Sequence, residues 1–418
     1  MSRSRDVAQI LGKTDAVNED NHALLNTSSG VDSAEVVTLI TAHSSNLDSA
    51  DMQTISEQVS RNKNLLINGS MNVAQRTSSA TGVGGSTGGT YNAQDRWNFF
   101  AYGSPAARWT QSVSTDVPAS STFTTSLKLD CTTASGTVGA AHRQQLMQVI
   151  EAQDLQHLRY GSAAAKKVTL SFWVKSSVTG KNYCWIYHHD GTRFTYKSYT
   201  VNSADTWEHK TLTFTGDTAS AITNDNGGGL NIIWMLYAGT DYTGATDGVE
   251  DTWAAWNSGN YDQFNGQVNN ASSTDNNWYL TGAQLQVGDT ATAFEHEDYV
   301  ITLNKCLRYF YKLRKTNAWG EFVTIRTYSS DDGTGIIYFP QPMRAQPTLT
   351  IDKTVNSTNF AYSLNSIAVA ASDVNVTQVG IACASSSASA FVTGGGAVIQ
   401  SNGASGAIDV SFDFSAEL

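Results

Sequence analysis

Val168-Thr169-Leu170-Ser171-Phe172-Trp173-Val174-Lys175 puts Val168, Leu170, Phe172 and Val174 on one side of an extended chain and Thr169, Ser171, Trp173 and Lys175 on the other. Side chains of a strand alternate between its faces, so this period of two marks a strand with one face in a core. The signature recurs along the chain. Tyr183 to His189 reads as a strand that reaches Asp190-Gly191 and returns through Thr192 to Tyr199, a hairpin expected to close on a type I′ turn. Leu212 and Phe214 alternate with Thr211, Thr213 and Thr215, and Leu230, Ile232, Trp234 and Leu236 form another apolar face. Trp278 to Val287 reads as the closing strand, with Tyr279, Ala283, Leu285 and Val287 turned inward. Strands at this spacing predict a β-sandwich.

Composition agrees. Nine of the ten tryptophans fall between Trp97 and Trp278, only 15% of the 418 residues are charged and 34 are glycine, a balance that suits strands joined by many turns. A chain of this length holds two or three domains. The net charge of -11 argues against nucleic acid as a partner, because phosphate binding needs clustered Lys and Arg. Cys131, Cys184, Cys306 and Cys383 form no CxxC pair or metal-finger spacing and read as buried thiols. The segment from Met1 to Lys13 lacks the apolar stretch of a signal peptide, and nowhere do about 18 apolar residues run together, so a cytosolic product without membrane insertion is expected.

The overall expectation is a mainly β chain: a jelly-roll-like β-sandwich, then a smaller all-β domain, preceded by an extended or helical attachment arm. The arm is residues 1–63, which contain no Trp, Phe or Tyr and cannot offset chain entropy with a core of their own. Ala34, Val37, Ile40, Leu47, Ile55 and Val59 lie near heptad spacing, which fits either a short oligomerising helix or a peptide wrapped on a partner. The sandwich is assigned to residues 64–299. It opens with a strand at Leu65, Leu66 and Ile67 entering a turn at Asn68-Gly69, and a Gly, Ser and Thr-rich loop is expected from Thr77 to Thr90. Between His142 and Tyr160, the spacing of Leu146, Val149, Ile150 and Leu158 predicts a short helix. Residues 300–314 are read as a helical connector, since Ile301, Leu303, Cys306, Leu307, Phe310 and Tyr311 suit a helix from Tyr299 to Arg314. Residues 315–418 form the smaller β domain, with strands expected at Ile336–Phe339, Thr348–Ile351, Ile367–Ala371, Ile381–Ala384 and Ile408–Phe414.

Asn64-Leu65-Leu66-Ile67-Asn68-Gly69, Ala74-Gln75-Arg76 and Asp95-Arg96-Trp97 together resemble the opening of a module common in tail-fibre and other structural proteins of bacteriophages. The closing is similar too: Trp278 through Gly288, then Ala291-Thr292-Ala293-Phe294-Glu295-His296 and Cys306-Leu307-Arg308-Tyr309-Phe310-Tyr311. Phe339-Pro340, Met343-Arg344-Ala345 and Pro347-Thr348 resemble the start of the domain that often follows. The likeness covers roughly residues 64–351, and the segment from Gly239 to Asn277 departs from the common pattern. It implies a sandwich similar to carbohydrate-binding modules, carried on a virion, usually as a homotrimer, and often recognising the host surface. The arm would then dock to other virion proteins.

Tyr242, Trp253, Trp256, Tyr261 and Phe264 lie in a polar, Gly-containing stretch and form the best candidate for a host-surface glycan. Aromatic faces stack on the C–H faces of sugar rings while Asp, Asn and Gln bind hydroxyls. The bland alternatives are that a long loop builds its own small core, or that these rings pack between subunits. His188, His189 and Asp190 do not suit a metal, because adjacent strand residues point to opposite faces. Asn224-Asp225-Asn226 reads as a turn rather than a calcium loop. Glu250, Asp251 and Asp262 raise a polysaccharide depolymerase, but glycosidase chemistry needs two carboxylates set across a bond, and neighbours in a polar loop do not supply that. No catalytic residue, metal or cofactor is assigned. The leading expectation is a virion tail fibre; the alternative is a purely architectural adaptor, tail or head-fibre component without sugar binding.

Overall fold

A computed structural model describes residues 64–244, 249–257, 263–315, 321–329, 332–353, 367–372, 374–385, 396–400 and 410–418. The expectations for residues 1–63 lie outside the described residues. Two antiparallel sheets face each other in a jelly-roll-like sandwich. With strands numbered along the chain, the first sheet runs β1 (Ser79–Val83), β4 (Arg108–Ser114), β5 (Ser126–Thr133), β13 (Asn277–Val287), β7 (Val168–Ser176), β10 (Glu208–Phe214). The second runs β12 (Ala254–Ala255), β9 (Arg193–Val201), β8 (Gly180–His188), β11 (Gly228–Ala238), β6 (Arg143–Glu151), β3 (Asn98–Tyr102), β2 (Gly88–Tyr91). Val168, Leu170, Phe172 and Val174 lie in the core between them, with Trp97, Trp109, Trp234 and Trp278.

The stretch between His142 and Tyr160 is a correction. Arg143 to Glu151 is a central strand, and only Ala152–Leu158 is helical, as a short 3₁₀ turn. Every residue of β6 is buried. A strand covered on both faces loses its alternation, and its apolar positions then mimic a helical stripe.

The closing strand differs in phase. Trp278 and Leu280 point into the core before a bulge between Thr281 and Gln284, and Ala283 and Leu285 point into it afterwards, with Val287 packed at the margin. Gly282 supplies the bulge at φ +60, where a Cβ would meet the Phe123 ring at 2.5 Å. Tyr279 therefore faces away from the core, its ring 4.4 Å from the Lys175 ammonium.

Other local expectations also shift. Leu65 to Ile67 is a turn rather than a strand. The stretch from Thr77 to Thr90 contributes a strand to each sheet, β1 and the start of β2. The hairpin closes on the His188–Arg193 pair, so its loop is His189 to Thr192, with Thr192 N–H donating to the His189 carbonyl and only Thr192 at positive φ. That four-residue connection replaces the two-residue type I′ turn.

The motifs at the two ends of the sandwich meet. Asn64 Oδ1 accepts from Leu66 N–H and Leu285 N–H, both at 3.0 Å, and Ala283 N–H donates to the Gly69 carbonyl. Gly69 is required there, because a Cβ would lie 2.0 Å from the Ala283 oxygen. Trp97 Nε1 donates to the Asn68 carbonyl. These residues tie the opening of the chain to its closing strand.

The helix at Tyr299 ends at Leu307, short of Arg314, and Phe310–Lys315 is a strand, β14. It pairs with β21 (Val410–Ser415), which pairs with β17 (Thr348–Lys353). A five-stranded sheet has the order β18 (Ile367–Ser372), β19 (Gln378–Ser385), β16 (Asp332–Tyr338), β15 (Glu321–Thr327), β20 (Gly396–Gln400). β15 and β20, like β3, β4, β5 and β12 of the sandwich, are strands that the sequence pattern does not mark. Val323, Ile325, Ile337, Phe339, Val379, Phe412 and Phe414 form a second core. Where the sheets meet the sandwich, Glu417 pairs with both Arg76 and Arg96, whose guanidinium carbons lie 3.6 Å from the Phe310 ring and 3.4 Å from the Tyr309 ring.

Candidate functional site

The strand alternation that fills the core also sends a set of aromatic side chains outward from the second sheet. Tyr183, Trp185 and Tyr187 from β8, and Phe194 and Tyr196 from β9, share this outer face with Ile233, Met235 and Met147. Register sets Trp185 beside Tyr196 and Ile233, Ile233 beside Met147, and Met147 beside Asn98. The next row pairs Gln145 with Phe100, and the one beyond pairs Arg143 with Tyr102.

The chain beyond Gly239 returns over this face. Phe264 N–H donates to the Tyr242 carbonyl and Val268 N–H to the Lys181 carbonyl, which pins the segment to the sheet. Phe264 is fully buried, its ring 5.4 Å from Tyr183 and 5.8 Å from both Trp185 and Tyr196. Tyr242 is also buried, and burial pushes its phenol pKa up, partly offset by the neighbouring Arg143. These two rings close a small core and present no open face. Their sugar-contact role is corrected accordingly: a ring that stacks on a sugar needs a face free of protein.

Trp256 is half-buried and stacks on Trp185 at 5.0 Å and 18°. It joins a ring of aromatics around Arg143, whose guanidinium carbon lies 4.6 Å from Tyr242, 4.9 Å from Tyr102, 5.4 Å from Trp256 and 5.8 Å from Phe100. Trp253 lies elsewhere. Its Nε1 donates to the Thr215 carbonyl at 2.8 Å, and it packs edge-on to Tyr160 and His188 beside the main core. Tyr261 lies outside the described residues. Sequence reading thus located Trp256 but missed Tyr187, Phe100, Tyr102, Asn98 and Gln145, which come from strands more than forty residues away; the available signal was their outward parity.

Polar atoms on the same face lack partners. Asn98 Oδ1, Gln145 Oε1 and Trp185 Nε1 are buried without a hydrogen bond, though the Gln145 and Asn231 amides approach the Met147 sulfur at 3.9 Å. At the rim, His189 Nε2 meets Asn231 Oδ1 at 2.6 Å, and the imidazole packs edge-on to Tyr187. Each unpaired buried polar atom costs about 1–3 kcal/mol, so a shift of the covering side chains that opens one to a ligand hydroxyl recovers part of that cost.

The remaining candidates resolve as local structure. His188 Nδ1 meets Asp217 at 3.1 Å inside the sandwich while His189 turns outward, so the two imidazoles part. Asp225 Oδ1 accepts from Gly227 N–H, and Asn226 Nδ2 donates to the Arg344 carbonyl, which makes Asn224 to Asn226 a tethered turn. Asp251 accepts from Thr215 and pairs with Lys197 at 3.4 Å; Glu250 is exposed, and Asp262 lies outside the described residues. Among the described residues, no three His, Cys, Asp or Glu side chains gather as a metal site.

No protein-family model and no curated protein matches the chain. Among solved structures it is similar to a CBM4 structure, at 15% identity over 53% of this chain and 97% of that one, with a TM-score of 0.27. It is similar to the family 11 carbohydrate-binding module from Clostridium thermocellum in complex with a β-1,3-1,4-mixed-linked tetrasaccharide, at 12% identity over 48% of this chain and 91% of that one, with a TM-score of 0.24. A third likeness is to the enzymatically active domain of tailspike protein 4 of bacteriophage CBA120, at 13% identity and a TM-score of 0.25. That match covers 54% of this chain but spans only 21% of the tailspike structure.

Proposed function

We propose that this protein is a non-enzymatic bacteriophage virion component, a homotrimeric tail fibre anchored to other virion proteins by residues 1–63 and binding host-surface glycan on the outer face of the second sheet. The observation that carries the glycan reading is the meeting of half-buried aromatic rings, Trp256, Tyr187 and Phe100, with buried polar atoms that have no partner, Asn98 Oδ1 and Gln145 Oε1. A pyranose offers both complements, apolar C–H faces and hydroxyl donors. The virion reading is supported by the resemblance of the opening and closing motifs. Single sugar sites are weak, and copies held at fixed spacing on a particle raise residence through effective concentration. A glycan array probed with the full chain tests the proposal: binding that Trp256→Ala and Gln145→Leu both abolish supports it, and an array without hits overturns it.

A second reading, an architectural fibre component without sugar binding, is favoured by the complete burial of Phe264 and the near-complete burial of Tyr242. On that reading the aromatic loop exists to cover the sheet, and both variants lose stability with no binding to lose.

A further inference from the structure

Among the described residues of the five-stranded sheet, β15 and β16 turn one face to the second core and the other to the outside. Along β15 and β16, Val323, Ile325 and Ile337 point inward, while Ile336 and Tyr338 point outward, 48% and 69% exposed. Tyr328, just past β15, is 53% exposed. Register places Gly380 directly beside Ile336 and Gln378 beside Tyr338, so projecting side chains alternate with low ground, the relief by which two sheet faces interdigitate. Arg326, opposite Thr334, and Asp332, at the hairpin end where its carboxylate accepts from Ser329 Oγ, are the charged residues among the described outward positions of β15 and β16.

Charge distribution says what covers this face. The chain carries a net -11, so two copies repel wherever their acidic residues meet. Yet from Thr354 to Ile408, the part of the sequence that supplies β18, β19 and β20, Asp373 is the single charged residue. Depletion of charge is the compositional mark of an interface core, and a face whose one described acid, Asp332, sits at the hairpin end beside Ser329 is where copies of an acidic chain approach with least penalty. The backbone of five strands spaced about 4.8 Å apart and about six residues long covers roughly 24 by 20 Å, on the order of 480 Å², somewhat over half of the ~800 Å² per partner of a standard interface, to which the relief of Ile336, Tyr338 and Tyr328 adds.

We propose that the open face of this sheet is a self-association surface, packed against a second copy of the chain with Ile336 and Tyr338 as its anchors. The inference builds on the oligomeric reading above and names the surface that carries it.

Sedimentation equilibrium of the full chain across a concentration series, with and without the paired substitutions Ile336→Thr and Tyr338→Thr, tests it; threonine retains strand propensity. The expected result is an assembled wild type and a variant whose dissociation midpoint rises about tenfold or more, with an unchanged far-ultraviolet circular dichroism spectrum. A folded variant that assembles like the wild type overturns the surface and leaves the oligomeric reading standing; a monomeric wild type overturns both. Hydroxyl-radical footprinting of the wild type needs no substitution: labelling of Tyr338 and Ile336 that falls as concentration rises supports the proposal, and labelling independent of concentration in an assembled protein refutes it.

Discussion

Trp253 and Trp256 lie three positions apart and serve different neighbours. Trp256 stacks on Trp185 at the outer face, whereas Trp253 packs with Tyr160 and His188 at the margin of the main core. Trp256→Ala is expected to weaken glycan binding about tenfold or more, while Trp253→Ala lowers stability and leaves affinity intact, as titration calorimetry and thermal unfolding would read. Asp95 is a second informative residue. Burial raises its pKa from 3.8 to about 6, despite the opposing Arg76 guanidinium and the Gln75 hydrogen bonds. An acid whose pKa rises on folding keeps its proton in the native state where the unfolded chain has lost it, so its stabilising contribution is full below about pH 4 and disappears as pH climbs through about 6. Denaturant titrations of wild type and Asp95→Asn should show the wild type losing ground to the variant over that window. Parallel curves would mean that Asp95 does not titrate there.

At the scale of elements, β6 shows how a strand can be central and still carry amides. Gln144 points into the sandwich, where its Oε1 accepts from Trp109 Nε1 at 2.6 Å and its Nε2 donates to the Gly84 and Ala107 carbonyls at 2.8 and 3.0 Å. Gln144→Leu strands all three groups, and unfolding should register a loss of about 2–4 kcal/mol. A loss below about 1 kcal/mol would show that the neighbours find other partners. The alternation of β7 was legible in its sequence because one face meets the core and the other does not. β6 was illegible for the opposite reason, and in β13 the bulge at Gly282 reversed the phase of every residue after it. The aromatic loop was legible as a candidate site through its composition, but the rows of Asn98, Gln145 and Tyr187 beneath it depend on pairings between distant strands.

For the whole molecule, the joint between sandwich and C-terminal sheets rests on charge. Arg96 is 1% exposed, pairs with Glu417, and donates to the Val149 carbonyl, while Glu151 holds Arg308 in a bidentate pair at 2.7 and 2.8 Å. Removing one partner of a buried pair leaves the other uncompensated, so Glu417→Ala should cost about 3–5 kcal/mol and expose the joint to proteolysis between the two cores. Substituting the exposed pair Lys167 and Asp289, 3.9 Å apart, should change stability by under about 1 kcal/mol and serves as the control. Equal effects at both sites would remove the joint's special standing.

By itself, the sequence determined that the chain is mainly β, where about half of its strands fall, and that an aromatic-rich segment sits between two of the longest strands. Those properties are local: side-chain alternation, turn chemistry and low charge act over a few residues. Tertiary structure alone decided that β6 is a strand, that Tyr279 faces outward, and that Tyr242 and Phe264 close a core while Trp256 remains at its margin. Periodicity reports whether a face is buried; which surface buries it depends on segments far away in the chain, brought together when the sheets pair and pack.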